Sequence, residues 1–118
     1  MKLVKATREG LVGGKTASGY VIDTVVPFVA LPSVKALGKF VHVRNPRTQK
    51  STMAIVLDVG PWNEHDEAYV FGNARPMAEV GQDTRGRVTN HAGIDLSERV
   101  WALLGMNGNE PVEWEFVA

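Results

Sequence analysis

A chain of 118 residues with 44% hydrophobic side chains fits one domain around a single core, and 13 basic against 13 acidic residues leave a formal net charge of zero. That balance gives no electrostatic footprint for a nucleic-acid backbone or an anionic membrane, so no nucleic acid is expected and a neutral substrate or a protein partner fits better. The lack of cysteine excludes disulfide staples, thiolate metal sites and thiol nucleophiles, and leaves the redox compartment open.

From the N-terminus, Met1 to Arg8 holds no apolar stretch long enough for a signal peptide or a membrane span, so no membrane insertion is expected. Lys2 to Ala6 reads as a strand. Gly10, Gly13 and Gly14 precede Lys15-Thr16, but the spacing does not match a phosphate loop. Tyr20 to Val26 alternates Tyr20, Ile22, Thr24 against Val21, Asp23, Val25, which predicts a second strand. Phe40 to Arg44 and Thr52 to Val59 predict two strands flanking the turn-rich Asn45 to Lys50.

Residues 63–92 are polar, rich in turn formers and without a sustained period, and read as a long inserted loop of the kind that is usually functional. Within it Tyr69, Val70 and Phe71 are expected to pack back on the body of the fold, and His65-Asp66-Glu67 reads as a solvated acidic loop rather than a metal site. A single short helix is predicted over about residues 96–104, capped by Ser97, striped by Leu96, Val100, Leu103 and Leu104 and stopped by Gly105. The last strand, Pro111 to Val117, is the clearest, with Val112, Trp114 and Phe116 on one face and Glu113 and Glu115 on the other. Several short strands with one small helix, and no internal repeat or linker, predict a mainly β single domain over 1–118 closed into a barrel.

Two segments carry chemistry. Asp58 ends a strand at Val59-Gly60-Pro61-Trp62, and Asp95 precedes Leu96-Ser97 at the helix entry. Aspartate at such places serves turn bonds and helix caps; the same places also present a carboxylate on a rigid support to solvent, as acid–base work on a polymer requires. Ser18, Ser33 and Ser97 have no histidine and acid partners at recognisable spacing, so a serine hydrolase has no support. Flat rings match the apolar faces of pyranoses, and Trp62 on its turn beside Asp58 is the best stacking candidate, with Tyr69 second; Trp114 and Trp101 read as core.

Gly14-Lys15-Thr16-Ala17-Ser18-Gly19, Leu37 through Asn45, Asp58-Val59-Gly60-Pro61-Trp62 and Ile94-Asp95-Leu96-Ser97 stand in the order of four motifs, and with them the chain resembles the rare lipoprotein A family of double-psi β-barrels. That family's T-A-x-G turn, P-x-G-T-x-V-x-V-x-N strand, D-R-G-P-F turn and I-D-L-S segment are all represented. The resemblance implies a six-stranded double-psi β-barrel, shared with expansins, family 45 glycoside hydrolases and membrane-bound lytic transglycosylase A, which act on polysaccharide. It further implies a cell-wall glycan, the peptidoglycan strand, as partner, an envelope-directed protein, and Asp58 and Asp95 in one groove. Thr16 and Ser18 of the first turn then join Trp62 and Tyr69 as expected substrate contacts.

Three departures mark this chain. The histidine that precedes the family's G-T strand is absent from Ala30 through Gly38, the arginine after the first aspartate is Val59, and residues 63–92 are an insertion whose His91 is the candidate to replace the lost imidazole. The expectation is a lytic transglycosylase-like or glycoside hydrolase-like enzyme with Asp58, Asp95 and His91 as catalytic groups and no metal or cofactor. The alternative is a non-catalytic glycan-binding or structural module of a phage or secretion assembly.

Overall fold

The computed structural model describes residues 1–117. Six strands, β1 (Lys2–Arg8), β2 (Phe28–Leu31), β3 (Phe40–Arg44), β4 (Ser51–Val59), β5 (Ile94–Leu96) and β6 (Pro111–Phe116), close into a barrel in the order β1-β5-β2-β4-β3-β6. The pairs β1/β5 and β2/β4 are parallel and the other four antiparallel, giving the mixed six-stranded barrel that the motifs imply. Two short helices, α1 (Glu67–Val70) and α2 (Glu98–Leu103), are accompanied by 3-10 turns at Val34–Ala36, between β2 and β3, and at Met77–Val80, after α1. Among the described residues, no helix is long and apolar enough to cross a membrane.

Alternation sets the core. Val4 and Ala6 of β1, Val41 and Val43 of β3, Ala54 and Val56 of β4, and Val112 and Trp114 of β6 point inward and are buried, while Leu3, Phe40 and Met53 between them are exposed. Val100 of α2 and Leu104 just past its end join this cluster. The α2 entry follows the sequence reading at its cap: Ser97 Oγ accepts the Val100 N–H at 3.3 Å and also the Phe28 N–H at 3.1 Å, tying the helix to β2.

The helix starts later than predicted. Leu96 is still in β5, paired with Arg8 and Val29, so Asp95 stands in the middle of a strand rather than at a helix entry. The strand predicted over Tyr20 to Val26 is also absent. Asp23 Oδ1 accepts the N–H groups of Val25 and Val26, and the Tyr20 hydroxyl donates to Asp23 Oδ2, so local side-chain bonds close a turn where a ladder was expected. The strand next to it in sequence is Phe28–Leu31, all four residues buried, which has no alternation to display because both of its faces are covered.

The 63–92 insertion packs back as expected. Tyr69 and Val70 of α1 are fully buried in the main core, and Phe71 stacks on Phe116 with centroids 5.2 Å apart. The Tyr69 hydroxyl receives the Trp114 indole N–H at 2.8 Å and donates to the Gly93 carbonyl at 2.8 Å, joining insertion, barrel interior and the approach to β5. Gly93 has to be glycine here, because a Cβ would lie 2.8 Å from Pro76 Cγ and 2.9 Å from that hydroxyl. Tyr69→Phe leaves a buried donor and a buried acceptor unpaired and is expected to lower stability by about 1–3 kcal/mol. Urea unfolding checks this, and an unchanged midpoint would show that the bridge carries no net stability.

Candidate functional site

Register brings the two aspartates together. Asp95 pairs with Thr7 across one edge of β5 and with Ala30 across the other, and Ala30 in turn pairs with Asp58 of β4. Thr7, Asp95, Ala30 and Asp58 therefore form one row over four neighbouring strands, with the aspartate backbones about 10 Å apart at two strand spacings. Strict alternation from Val56 would turn Asp58 into the barrel. The β2/β4 register instead passes from Val29↔Val56 to Ala30↔Asp58, leaving Leu57 as the extra residue of a bulge. That single insertion re-aims Asp58 to the outer face shared by Asp95, and the Leu57 carbonyl accepts the Ser18 N–H at 3.3 Å instead of a ladder bond.

Each carboxylate is fixed differently. Asp58 Oδ1 accepts the Ala17 N–H at 2.8 Å and the Val59 N–H at 2.9 Å. The turn that supplies Ala17 is braced by Thr16, whose buried Oγ1 lies 2.9 Å from Ser18 Oγ and accepts the Tyr20 N–H at 3.1 Å. Thr16 thus holds the loop that holds Asp58, and Ser18 is the member of the pair exposed to solvent. The Thr7 hydroxyl donates to Asp95 Oδ1, and the Gly60 turn passes over the other oxygen, an added Cβ there lying 3.6 Å from Oδ2. Burial pushes the Asp95 carboxyl up from 3.8 to about 6; the Thr7 bond opposes the shift and the neighbouring Asp58 charge adds to it.

A third carboxyl, absent from the sequence reading, belongs to the group. Glu9 follows β1, its N–H donating to the Leu96 carbonyl at 2.8 Å, so it continues the ladder past Arg8 and falls on the same face as Thr7. Burial, a hydrogen bond to Asp58 and the charges of Asp95 and Asp58 raise its carboxyl from 4.5 to about 9. At neutral pH Glu9 holds the proton and donates it toward Asp58. Nothing in Arg8-Glu9-Gly10 distinguishes this glutamate until β1 is known to run two residues beyond Ala6.

In front of Asp95 lies an open depression of about 460 Å³ lined by Thr7, Arg8, Pro61, Trp62, Asn90 and Asn109. Trp62 forms its wall: the backbone there is left-handed at φ 71°, the indole N–H donates to Asn90 Oδ1 at 2.9 Å, and the Arg87 guanidinium lies 6.0 Å from the ring centroid. The same ring bounds a second depression of about 340 Å³ built by the insertion, so Trp62 is a ridge between two hollows.

Two of the expected site residues are placed elsewhere. Tyr69 is fully buried in the core and has no face for a sugar. His91 is exposed with Nδ1 2.9 Å from the Glu79 carbonyl, and its ring faces the 79–81 turn rather than the wall of the Asp95 depression. The insertion therefore does not return an imidazole to the carboxylates. His65, Asp66 and Glu67 diverge, Asp66 Oδ2 accepting the Met77 N–H at 2.7 Å while His65 lines the second hollow.

Comparison with solved structures finds the same barrel at low identity. Cerato-platanin 3 from M. perniciosa is similar with a TM-score of 0.57 at 11% identity, over 99% of this chain and 95% of that one. An aspartate-to-asparagine mutant of Clavibacter michiganensis expansin in complex with cellohexaose is similar with a TM-score of 0.53 at 19% identity. The match covers 99% of this chain but 51% of the expansin, so the chain spans about half of that protein. A search of curated proteins finds no match. The family model described as Domain of unknown function (DUF8814) matches residues 1–115, and the chain belongs to that family.

Proposed function

We propose that this DUF8814 member binds a cell-wall glycan across the Trp62 ridge and cleaves it by proton transfer from Asp95, as a peptidoglycan lytic transglycosylase does. One observation carries the reading: a carboxyl raised to about 6 stands at the floor of an open groove, beside a tryptophan ledge and within reach of the charge of a second carboxylate. Such a group is protonated often enough near neutral pH to donate and acidic enough to leave as the base. The Asp95 proton goes to the glycosidic oxygen as the bond from the sugar's anomeric carbon breaks. The 6-hydroxyl of the same sugar then attacks that carbon and returns its proton to Asp95, giving an anhydro end with no water consumed. Asp58 stabilises the positive charge that develops between these steps, and Glu9, neutral and bonded to Asp58, keeps the group from carrying three negative charges.

A second reading, glycan binding without cleavage, is favoured by the position of His91, which leaves the carboxylates without an imidazole partner. Incubation with murein sacculi, followed by mass spectrometry of the soluble and pelleted fractions, separates the two. Anhydro-muropeptides in the supernatant support cleavage. Protein pelleting with intact sacculi supports binding alone, and the absence of both products and pelleting removes peptidoglycan as the partner. The neutral oligosaccharide cellohexaose, present in the expansin complex, is the comparison ligand.

A further inference from the structure

We propose that Asn90 is a positioning residue of the groove: through one side-chain oxygen it holds the Trp62 ring in place beside Asp95, where a bound sugar would stack. This rests on the glycan reading and deepens it, since the insertion then serves the site through Asn90 rather than through His91. Trp62 does not keep its own place. Its backbone is left-handed at φ 71°, a conformation that bulky side chains rarely adopt and that persists only where surrounding contacts fix it. The Arg87 guanidinium 6.0 Å from the ring centroid is itself paired with Asp83, so it is a weak restraint. The directional contact is the indole N–H, the one hydrogen-bond donor of the side chain, and it is spent on Asn90 Oδ1 at 2.9 Å.

Asn90 is fastened to receive that bond. Its Oδ1 also accepts the Ala92 N–H at 3.1 Å, and two donors converging on one atom assign the amide orientation, since the flipped amide would set donor against donor. The Asn90 carbonyl accepts Lys5 Nζ at 2.8 Å, and the Gly93 N–H donates to the Lys5 carbonyl at 2.9 Å. Residues 90–93 are therefore tied at both ends to Lys5 of β1. Two residues further along the same strand, the Thr7 hydroxyl donates to Asp95 Oδ1. One strand thus carries both the group that fixes the acid and the anchor of the group that fixes the ring, so the spacing between stacking face and proton donor does not depend on the long insertion holding still. Asparagine supplies the acceptor without adding a further negative charge to the wall that faces Asp95.

Asn90→Ser tests this. A serine hydroxyl can still serve the Ala92 N–H across the same turn but stops one bond short of the indole, so the change removes the Trp62 contact and keeps the loop. In ligand-free protein the Trp62 indole N–H signal is the one that Trp62→Phe deletes. It is expected to exchange with solvent about tenfold faster in Asn90→Ser, and at the parental rate in Asn90→Asp, which retains the acceptor. Affinity for murein sacculi is read by pelleting in an Asp95→Asn background that leaves the glycan uncut. It is expected to fall about tenfold in Asn90→Ser, and the loss should vanish when Trp62→Phe is also present, because no indole N–H remains to be held. Parental exchange or parental affinity in Asn90→Ser overturns the assignment. A loss of equal size with and without Trp62→Phe overturns it too, since Asn90 would then touch the glycan itself or merely support the loop. Failure of the Asp95→Asn protein to pellet with Asn90 and Trp62 both intact refutes the glycan reading and the role built on it, while the exchange rates, measured without glycan, report separately whether Asn90 holds the ring.

Discussion

Asp95→Asn is expected to reduce murein cleavage by about a hundredfold to ten-thousandfold, the range associated with removing a positioned general acid. The same change should leave the fold at least as stable as the parent at neutral pH. Asparagine is nearly isosteric, its carbonyl can still accept the Thr7 hydroxyl, and it removes a charge whose burial already disfavours it, as the rise from 3.8 to about 6 records. Loss of activity with an unchanged or raised Tm would therefore be chemical rather than structural. In the parent, cleavage should fall as pH rises above about 6, because the donor form of Asp95 is depleted there. An Asp95→Asn protein that digests sacculi at the parental rate would show that the proton comes from elsewhere. Asp58→Asn should have a smaller effect, since the asparagine oxygen can keep the Ala17 and Val59 N–H bonds and only the stabilising charge is lost.

Both aspartates were legible in the sequence because each sits in a short motif whose neighbours make turns or caps, and such local chemistry survives without knowledge of the fold. The strands that alternate cleanly, β3, β4 and β6, were legible for the same reason: one side faces the core and the other solvent. Phe28–Leu31 was not, because a strand covered on both faces shows no period. Residues 20–26 misled in the opposite sense, alternation being present while Asp23 closed a local turn. The site itself depends on the Leu57 bulge and on the ladder bond that carries β1 to Glu9, and neither leaves a trace in residue type. For Tyr69 the two expectations, packing back on the fold and stacking on a sugar, exclude each other, and burial decides for the first: its hydroxyl finds both partners inside the barrel.

Glu9→Gln separates the proton holder from the acid, and its expected result is a change in stability rather than in cleavage. The Glu9 carboxyl is raised from 4.5 in the unfolded chain to about 9 in the fold, so between those values the folded state binds the proton that the unfolded state has released. Stability from this group is therefore fully present below about pH 4.5 and is lost as pH rises through about 9. Asp95 acts in the same direction but only between 3.8 and about 6, so a decline in Tm between pH 6 and 9 belongs to Glu9. Glutamine has the shape and the donor of the protonated acid, and can bond to Asp58 without titrating. The variant is expected to hold a flat Tm over that window. At pH 9 it should exceed the parent by on the order of 1–2 kcal/mol, allowing for the solvent screening of a partly exposed carboxyl, or about 4–8 °C for a domain of this size. Cleavage near pH 6 should be close to parental, because the group it mimics is already neutral there. A variant that keeps the parental slope in Tm shows that Glu9 does not hold the proton. One as inactive as Asp95→Asn at pH 6 would move the role of acid from Asp95 to Glu9, with Asp58 as its partner and Asp95 as the stabilising charge.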